Sequence, residues 1–401
     1  MMRPFIYLDH SATTAVDPRV VDAMLPFFST YYGNPSSLYS VGTYARKALE
    51  QARATVAAVI GARPNEVIFT SCGTESDNLA LRGAVLAARK RGNHIITSAV
   101  EHHAVSHTCA QLEQEFGFQV TTIDVNRDGL VDPDDVARAI RPETSLISIM
   151  YANNEVGTIE PIAEISRIAR SRQIPFHTDA VQAPGLLPLN VDELGVDLMS
   201  LSGHKFYAPK GIGVLYVRSG TPVLPIQTGG GQERNQRAGT ENTAFIVALA
   251  RALQLAEDAR SAEVPRLRAL RDRLVDGILA RVPDALFTGS REHRLASHAS
   301  FVFPGVEGEA VILKLSMLEI GASSGSACSS GDEGPSHVLS AMGYQHPVAR
   351  GSLRLTLGRE NTEQDVDYVL AELPGVIAAL RAMSPFYDAK GITAVRPVSA
   401  A

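Results

Sequence analysis

Short apolar segments rich in β-branched residues alternate with helical segments between about residue 60 and residue 220 of this 401-residue chain. This alternation is typical of a mainly parallel sheet covered by helices, because parallel strands need a crossover connection that a helix usually supplies. It therefore predicts an α/β fold. In such folds ligands bind at the carboxyl ends of the strands. Polar residues that directly follow predicted strands are thus the first candidates for a functional site.

The predicted strands and helices fall into two groups. Strands of the first group are predicted at residues 66–70, 94–98, 119–124, 145–151, 175–179, 198–202 and 213–217, and its helices at 75–90, 105–116, 133–140 and 161–172. A long helical segment, 244–281, leads to strands at 300–303 and 353–356 and a helix at 363–383. We interpret the second group as a smaller α+β domain. The small and polar residues 391–401 are typical of a mobile tail.

Composition narrows the classes of function. The formal net charge is −6, which leaves no basic surface for nucleic acid or anionic lipid. No apolar stretch has the length of a membrane span or a signal peptide, so we expect a cytosolic protein and no membrane partner. Three cysteines, Cys72, Cys109 and Cys328, are too few for a disulfide framework and fit a reducing compartment.

The cysteines have different settings. Cys109 lies in a helical pattern and is predicted to be a small buried apolar residue. Cys328 lies in the polar segment Ala322-Ser-Ser-Gly-Ser-Ala-Cys-Ser-Ser-Gly331, where nothing would bury a thiol, so we expect it to be reactive.

Two motifs point to one cofactor. Asp179 ends a predicted strand within Thr178-Asp-Ala-Val-Gln182, and Lys205 follows the next strand within Ser202-Gly-His-Lys205. Pyridoxal phosphate requires this pair, since a lysine amine holds its aldehyde as a Schiff base and a carboxylate keeps its pyridine nitrogen protonated. The alternative is a buried Asp at a strand end and a surface Lys, which short motifs alone do not exclude.

Further polar residues follow other predicted strands. Gly73 and Thr74 begin a helix, whose N-terminal N–H groups could bind a phosphate; the alternative is an ordinary capping box formed by Thr74 and Asp77. His102 could stack on a cofactor ring and act as acid or base, or it could be a solvated loop histidine. Asn154 closes another strand in the same way.

Ten segments in order along almost the whole chain resemble the class I cysteine desulfurases, which are similar to NifS and IscS and belong to aminotransferase class V. They are Leu8-Asp-His-Ser-Ala-Thr-Thr14, Gly33-Asn-Pro-Ser36, Thr70-Ser-Cys-Gly-Thr-Glu-Ser-Asp-Asn78, Glu101-His102, Asn153-Asn-Glu-Val-Gly157, Asp179-Ala-Val-Gln182, Ser202-Gly-His-Lys205, Arg237-Ala-Gly-Thr240, Ser323-Ser-Gly-Ser-Ala-Cys328 and Leu353-Arg-Leu-Thr-Leu-Gly-Arg359. The resemblance implies pyridoxal phosphate fold type I, similar to aspartate aminotransferase. It implies a large domain, 16–259, built on a mainly parallel seven-stranded sheet. A small α+β domain would comprise 1–15 and 260–386, followed by a tail, 387–401.

The resemblance also implies a role for each matching residue. Lys205 would hold the cofactor, Asp179 and Gln182 would bond its pyridine nitrogen and phenolic oxygen, and His102 would stack on its ring. The phosphate would be bound by Gly73, Thr74, Ser202 and His204, and by Thr240 from the other subunit of a homodimer. Asn154 and Arg354 would hold the carboxylate of L-cysteine. Cys328 would take the sulfur as a persulfide and pass it to an acceptor such as an iron–sulfur scaffold protein. No resident metal is implied, although Cys328 could transiently contact a cluster iron.

Some features depart from the family pattern or leave alternatives open. Cys72 stands where many relatives carry glycine; it is either a second thiol near the phosphate or, as we prefer, a small buried side chain. Residues 329–335 also differ from the common pattern, which bears on loop length and partner preference. Selenocysteine lyase or another fold type I enzyme is the alternative enzyme function, and a scaffold without turnover is the non-enzymatic one. Conversion of cysteine to alanine and sulfide would distinguish these functions.

Overall fold

Alternating strands and helices form the first part of the chain in the computed structural model, which describes residues 5–325, 334–385, 387–388 and 391–392. The strands up to residue 217 are β1 (Ile6–Tyr7), β2 (Val67–Thr70), β3 (His94–Ser98), β4 (Gln119–Ile123), β5 (Thr144–Ser148), β6 (Phe176–Asp179), β7 (Leu198–Ser202) and β8 (Gly213–Val217). The helices are α1 (Pro18–Met24), α2 (Pro26–Ser29), α3 (Ser40–Ile60), α4 (Gly73–Ala87), α5 (His103–Phe116), α6 (Pro133–Ala139), α7 (Ile162–Ser171) and α8 (Val191–Leu194).

Strands β2 to β8 form the main sheet. Within the described residues it has seven strands in the order β2-β8-β7-β6-β5-β3-β4. All neighbouring pairs are parallel except those of β8, which runs antiparallel to β2 and β7. The predicted α/β fold with a mainly parallel seven-stranded sheet is therefore confirmed. Because β6 and β7 are adjacent and parallel, their carboxyl ends with Asp179 and Ser202 lie side by side.

The element boundaries differ from the prediction in a few places. Helix α4 begins at Gly73 instead of residue 75, and its N-cap is Cys72, whose sulfur accepts a hydrogen bond from the N–H of Glu75. The alternative interpretation of this segment, a capping box of Thr74 and Asp77, is therefore wrong. Strand β5 ends at Ser148 instead of residue 151, although the N–H of Tyr151 still bonds the Asp179 carbonyl; the N–H of Met150 bonds the Glu101 carboxylate. Helix α3 was not predicted.

The remaining elements form a second group. They are α9 (Thr243–Arg281), β9 (Leu286–Phe287), β10 (His298–Val302), α10 (Gly308–Ser316), β11 (Ile320–Gly321), α11 (His337–Ala341), α12 (His346–Ala349), β12 (Ser352–Thr356), α13 (Glu363–Met383), β13 (Tyr387–Asp388) and β14 (Gly391–Ile392). An antiparallel sheet in the order β12-β10-β9 packs with α9, α10 and α13, and β1 pairs with β11. The predicted tail begins with strand β14, paired with β13, and its later residues lie outside the described part.

Helix α9 contributes to two buried apolar clusters. Its first part, up to Ala256, packs with the main sheet, whereas residues from Leu267 onward pack with β10, β12 and α13. Pro265 lies between the two parts of the helix. The boundary predicted between residues 259 and 260 falls in this interval and stays a prediction. None of the described helices is long and apolar enough to cross a membrane.

Candidate functional site

A cavity of about 200 Å³ lies at the carboxyl ends of β6 and β7, beside the N-terminus of α4. Among the predicted site residues, those that line it are Gly73, Thr74, His102, Asn154, Asp179, Gln182, Ser202, His204 and Lys205. The other lining residues are Ser11, Cys72, Asp77, Met150, Ala152 and Val181. Residues from six parts of the sequence thus meet at the sheet edge where ligands of α/β folds bind.

The N-terminus of α4 forms one end of the cavity. A Cβ atom on Gly73 would lie 2.9 Å from Cγ2 of Val181 and 3.1 Å from Cβ of Ser202, so a larger residue would force the strand ends away from the helix. The glycine brings the first N–H groups of α4 close to Ser202. Unpaired N–H groups at the start of a helix carry partial positive charge and suit a phosphate.

Asp179 lies on the floor of the cavity and is 5% exposed. Burial raises the pKa of its carboxyl to about 6, against the opposing effects of the Val181 N–H, which donates to Oδ1 at 2.9 Å, and of Lys205. A buried carboxylate is destabilised unless a positive charge faces it. A protonated ring nitrogen would supply that charge.

The segment 9–14 lies against Lys205. The Lys205 Nζ donates to the carbonyl oxygens of Ser11, at 2.6 Å, and Ala12, at 2.8 Å. The Gln182 amide donates to the same Ser11 carbonyl at 3.0 Å. The Ser11 hydroxyl is buried and has no hydrogen-bond partner, which leaves a polar atom at the cavity for a ligand. Sequence reasoning assigned no role to Ser11 or Ala12, although both lie in a segment that resembles the family.

Two histidines at the cavity are neutral at neutral pH. Burial, reinforced by the charge on Lys205, lowers the pKa of His102 and that of His204 to about 4. His102 caps α5, and its Nδ1 accepts a hydrogen bond from the Ala104 N–H at 3.1 Å. The proton of the neutral ring is therefore on Nε2. His204 Nδ1 lies 3.1 Å from the Thr13 hydroxyl.

Arg354 is 1% exposed and projects from β12 toward Asn154. Its Nη1 donates to the Asn154 carbonyl at 3.1 Å, and its Nη2 donates to Asp9 Oδ1 at 2.8 Å. Its Nε has no hydrogen-bond partner. A buried guanidinium with an unused N–H is suited to a carboxylate oxygen. The partner Asp9 was not predicted.

Cys328 lies outside the described residues, but both flanks of its segment contact the site. The backbone of Ser323 pairs with that of Arg354, with N···O distances of 3.2 and 2.7 Å. On the other side, the His337 Nε2 lies 2.9 Å from the Glu101 carbonyl, and the Ser336 hydroxyl donates to Glu155.

The described residues include the other two cysteines and Thr240. Cys109 is buried, as predicted, and burial raises the pKa of its thiol to about 12. Cys72 is half-buried and lines the cavity, so the preferred interpretation of it as a buried side chain is wrong. Its place at the N-cap of α4 keeps its sulfur at the cavity wall. Thr240 is exposed and does not line the cavity of its own chain.

The cavity residues fit pyridoxal phosphate. A helix N-terminus with Ser202 and His204 suits the phosphate, the Lys205 amine suits the aldehyde, and Asp179 suits the ring nitrogen. The buried Ser11 hydroxyl without a partner is explained by such a polar ligand.

The chain is similar to known proteins over nearly its whole length. A family model described as aminotransferase class-V matches residues 6–369. A protein named cysteine desulfurase IscS from Dictyoglomus turgidum is 49% identical over 385 residues, which cover 96% of this chain and 98% of that protein. A solved structure described as a NifS-like protein has a TM-score of 0.88 and 38% identity, covering 94% of this chain and 100% of that one. Another, titled SspA in complex with cysteine, has a TM-score of 0.75 and 36% identity, covering 88% and 98%.

Proposed function

Because the chain belongs to the cysteine desulfurase family within aminotransferase class V, we propose that it converts L-cysteine to L-alanine and transfers the sulfur to an acceptor. One cavity beside the N-terminus of α4 is lined by Lys205, Asp179 and His102, and this arrangement is the main support for the proposal. The similarity to a structure solved with cysteine supports the substrate.

Members of this family use pyridoxal phosphate, which when bound supplies an electron sink for negative charge at the substrate α-carbon. Lys205 would hold its aldehyde. Asp179 and Gln182 would bond the ring nitrogen and phenolic oxygen, and His102 would stack on the ring. The phosphate would be bound by Gly73, Thr74, Ser202 and His204.

The chain's own groups would bind the substrate and move its protons. The Arg354 Nε, which has no partner, would donate to the substrate carboxylate beside Asn154. Once the substrate amine has taken its place at the aldehyde, the unprotonated Lys205 Nζ would remove the α-proton, and the carbonyls of Ser11 and Ala12 would hold the ammonium that results. The neutral His102 ring carries its proton on Nε2 and can donate a hydrogen bond from it, because the Ala104 N–H occupies Nδ1.

The Cys328 thiolate would attack the substrate sulfur. An S–S bond forms, the substrate C–S bond breaks, and the carbon skeleton keeps the electron pair, takes a proton and leaves as alanine. The sum is L-cysteine plus the Cys328 thiol giving L-alanine plus the Cys328 persulfide, so no outside oxidant is needed. One flank of the Cys328 segment pairs with Arg354, and the other bonds the Glu101 carbonyl next to His102, which supports this role.

The proposal also covers the domain bounds, the compartment and the sulfur acceptor. We place a large domain at 16–259 and a small one at 1–15 and 260–386, which agrees with the two buried clusters that α9 joins. We propose a cytosolic enzyme whose persulfide sulfur goes to an iron–sulfur scaffold or to another thiolation route.

The function is tested by incubating the purified holoenzyme with L-cysteine and a thiol reductant. We expect alanine and sulfide in a ratio near one, because each turnover releases one alanine and reduction frees one sulfur. Amino-acid analysis and a sulfide assay measure both products. Bound cofactor with neither product would contradict the proposal and favour a scaffold. Turnover of L-selenocysteine alone would favour the lyase.

A homodimer is expected because a patch of large apolar side chains is exposed near α2 and α3. Leu38 is 90% exposed, Tyr32 69%, Tyr39 64% and Tyr44 60%. Contiguous exposed apolar surface of this kind usually marks an interface. Thr240 is exposed and does not line the cavity of its own chain. It would bind the cofactor phosphate of the other subunit across this interface.

The substitution Leu38→Asp tests the interface, because it places a charge in the patch. We expect the wild type to sediment at twice the 42.9 kDa chain mass. The variant should shift toward the monomer and lose cofactor more readily. Leu313→Asp, at an apolar residue of α10 that is 68% exposed, is the matched control and should stay dimeric. A fully active monomeric wild type would contradict the shared site.

A further inference from the structure

A row of polar side chains crosses the centre of the main sheet beneath the cavity. His177 of β6 lies between Ser148 of β5 and Ser200 of β7, and all three are fully buried. The His177 Nδ1 lies 2.8 Å from the Ser148 hydroxyl, and its Nε2 lies 3.0 Å from that of Ser200. Because alternate residues of a strand share a face, Asp179 lies on the same face as His177.

Asp77 of α4 reaches this row from the helix side. It is 1% exposed, lines the cavity and has a hydrogen bond with Ser200. Its Oδ1 lies 3.6 Å from the His177 Nε2 but has no hydrogen-bond partner. A buried carboxylate oxygen without a partner is costly, whereas a neutral acid in that position has no charge to desolvate.

The distance between Asp77 and His177 would allow an ion pair, but the surroundings favour two neutral groups. Burial lowers the pKa of His177 to about 3, and two serine hydroxyls already satisfy its neutral ring. Burial raises the pKa of Asp77 well above the ordinary value, and Asp179 and Glu101 add to this effect. Cys72, in the preceding turn, also raises the pKa of Asp77.

We propose that Asp77 is a positioning residue that stays a neutral acid and thereby leaves Asp179 as the ionised carboxyl facing the ring nitrogen. Two carboxyls that share one buried site do not both ionise, because each charge destabilises the other. Because Ser200 bonds the carboxyl and Oδ1 has no partner, the ionisable proton would lie on Oδ1, which faces His177. This inference rests on the proposed function only for the identity of the group that Asp179 faces.

The protonation state can be read without turnover. Infrared spectra of the wild-type holoenzyme and of Asp77→Asn should differ by a protonated-carboxyl C=O band at neutral pH. The subtraction removes the contributions of Glu101, Glu155 and Glu160, whose pKa values burial also raises. A difference that contains carboxylate bands only would overturn the proposal, whatever the protein catalyses.

Kinetics of three variants test the positioning role. We expect Asp77→Ala to lower kcat about tenfold with KM within about twofold, because a neutral donor is lost while substrate contacts remain. Asp77→Asn, which keeps the shape and a donor, should restore most of that loss and keep the wild-type cofactor absorbance. Asp179→Asn should lose both absorbance and rate. An Asp77→Asn variant as impaired as Asp179→Asn would mean that Asp77 acts as a charge, and the proposal would fail.

Discussion

Replacement of Lys205 by alanine is expected to remove the visible absorbance of the bound cofactor and to lower kcat at least on the order of 10³-fold. Two losses combine in this variant. The amine that holds the aldehyde disappears, and so does the base that removes the α-proton. The Lys205 amine that donates to the Ser11 and Ala12 carbonyls is also lost, so the segment 9–14 loses two hydrogen bonds. Absorbance spectra and alanine release measure the two effects.

Lys210→Ala is the matched control for this result. Lys210 lies five positions further along the chain and is exposed, so its removal should leave absorbance and rate near those of the wild type. A Lys205→Ala protein that kept a borohydride-sensitive absorbance band would exclude Lys205 as the attachment residue.

The substitution Cys328→Ser should separate the two halves of the reaction. We expect cofactor binding and the spectral response to L-cysteine to persist, while alanine and sulfide release falls at least on the order of 10³-fold. Lys205 moves protons without this thiol, but a serine hydroxyl is too weak a nucleophile to take sulfur from carbon. Stopped-flow absorbance and product analysis measure the two halves separately.

Cys109→Ala serves as the control, because that thiol is buried away from the cavity and its pKa is raised to about 12. It should turn over like the wild type, apart from a small loss of stability. Near-normal desulfuration by Cys328→Ser would remove Cys328 from the mechanism.

Much of the fold could be predicted from the sequence, because the residue patterns that mark a strand or a helix lie within that element or next to it. Strand β7 and helix α13 match their predicted bounds: β7 is the short, mostly apolar segment Leu198-Met-Ser-Leu-Ser202, and a Thr362 cap marks the start of α13. Helix α3 was missed; its N-cap residue, Tyr39, makes no side-chain cap bond, so the usual start signal is absent.

The candidate site was predictable where polar residues end strands. Asp179 and Ser202 follow this rule, because adjacent parallel strands bring their carboxyl ends together. Asp9 and Ser11 were not assigned, since their partners Arg354 and Lys205 are 345 and 194 positions away in sequence. Asp77 was considered only as part of an alternative capping box, because its burial against His177 depends on how α4 packs on the sheet.

If Lys205 and Cys328 act on the same substrate molecule, a single turnover should give both alanine and a modified Cys328. The holoenzyme is mixed with one equivalent of L-cysteine per subunit without reductant, quenched, and analysed by peptide mass spectrometry and amino-acid analysis. We predict one alanine per subunit and an added sulfur atom on the peptide that contains Cys328. Absence of alanine, or an added sulfur on Cys72 or Cys109 with Cys328 unmodified, would contradict the account.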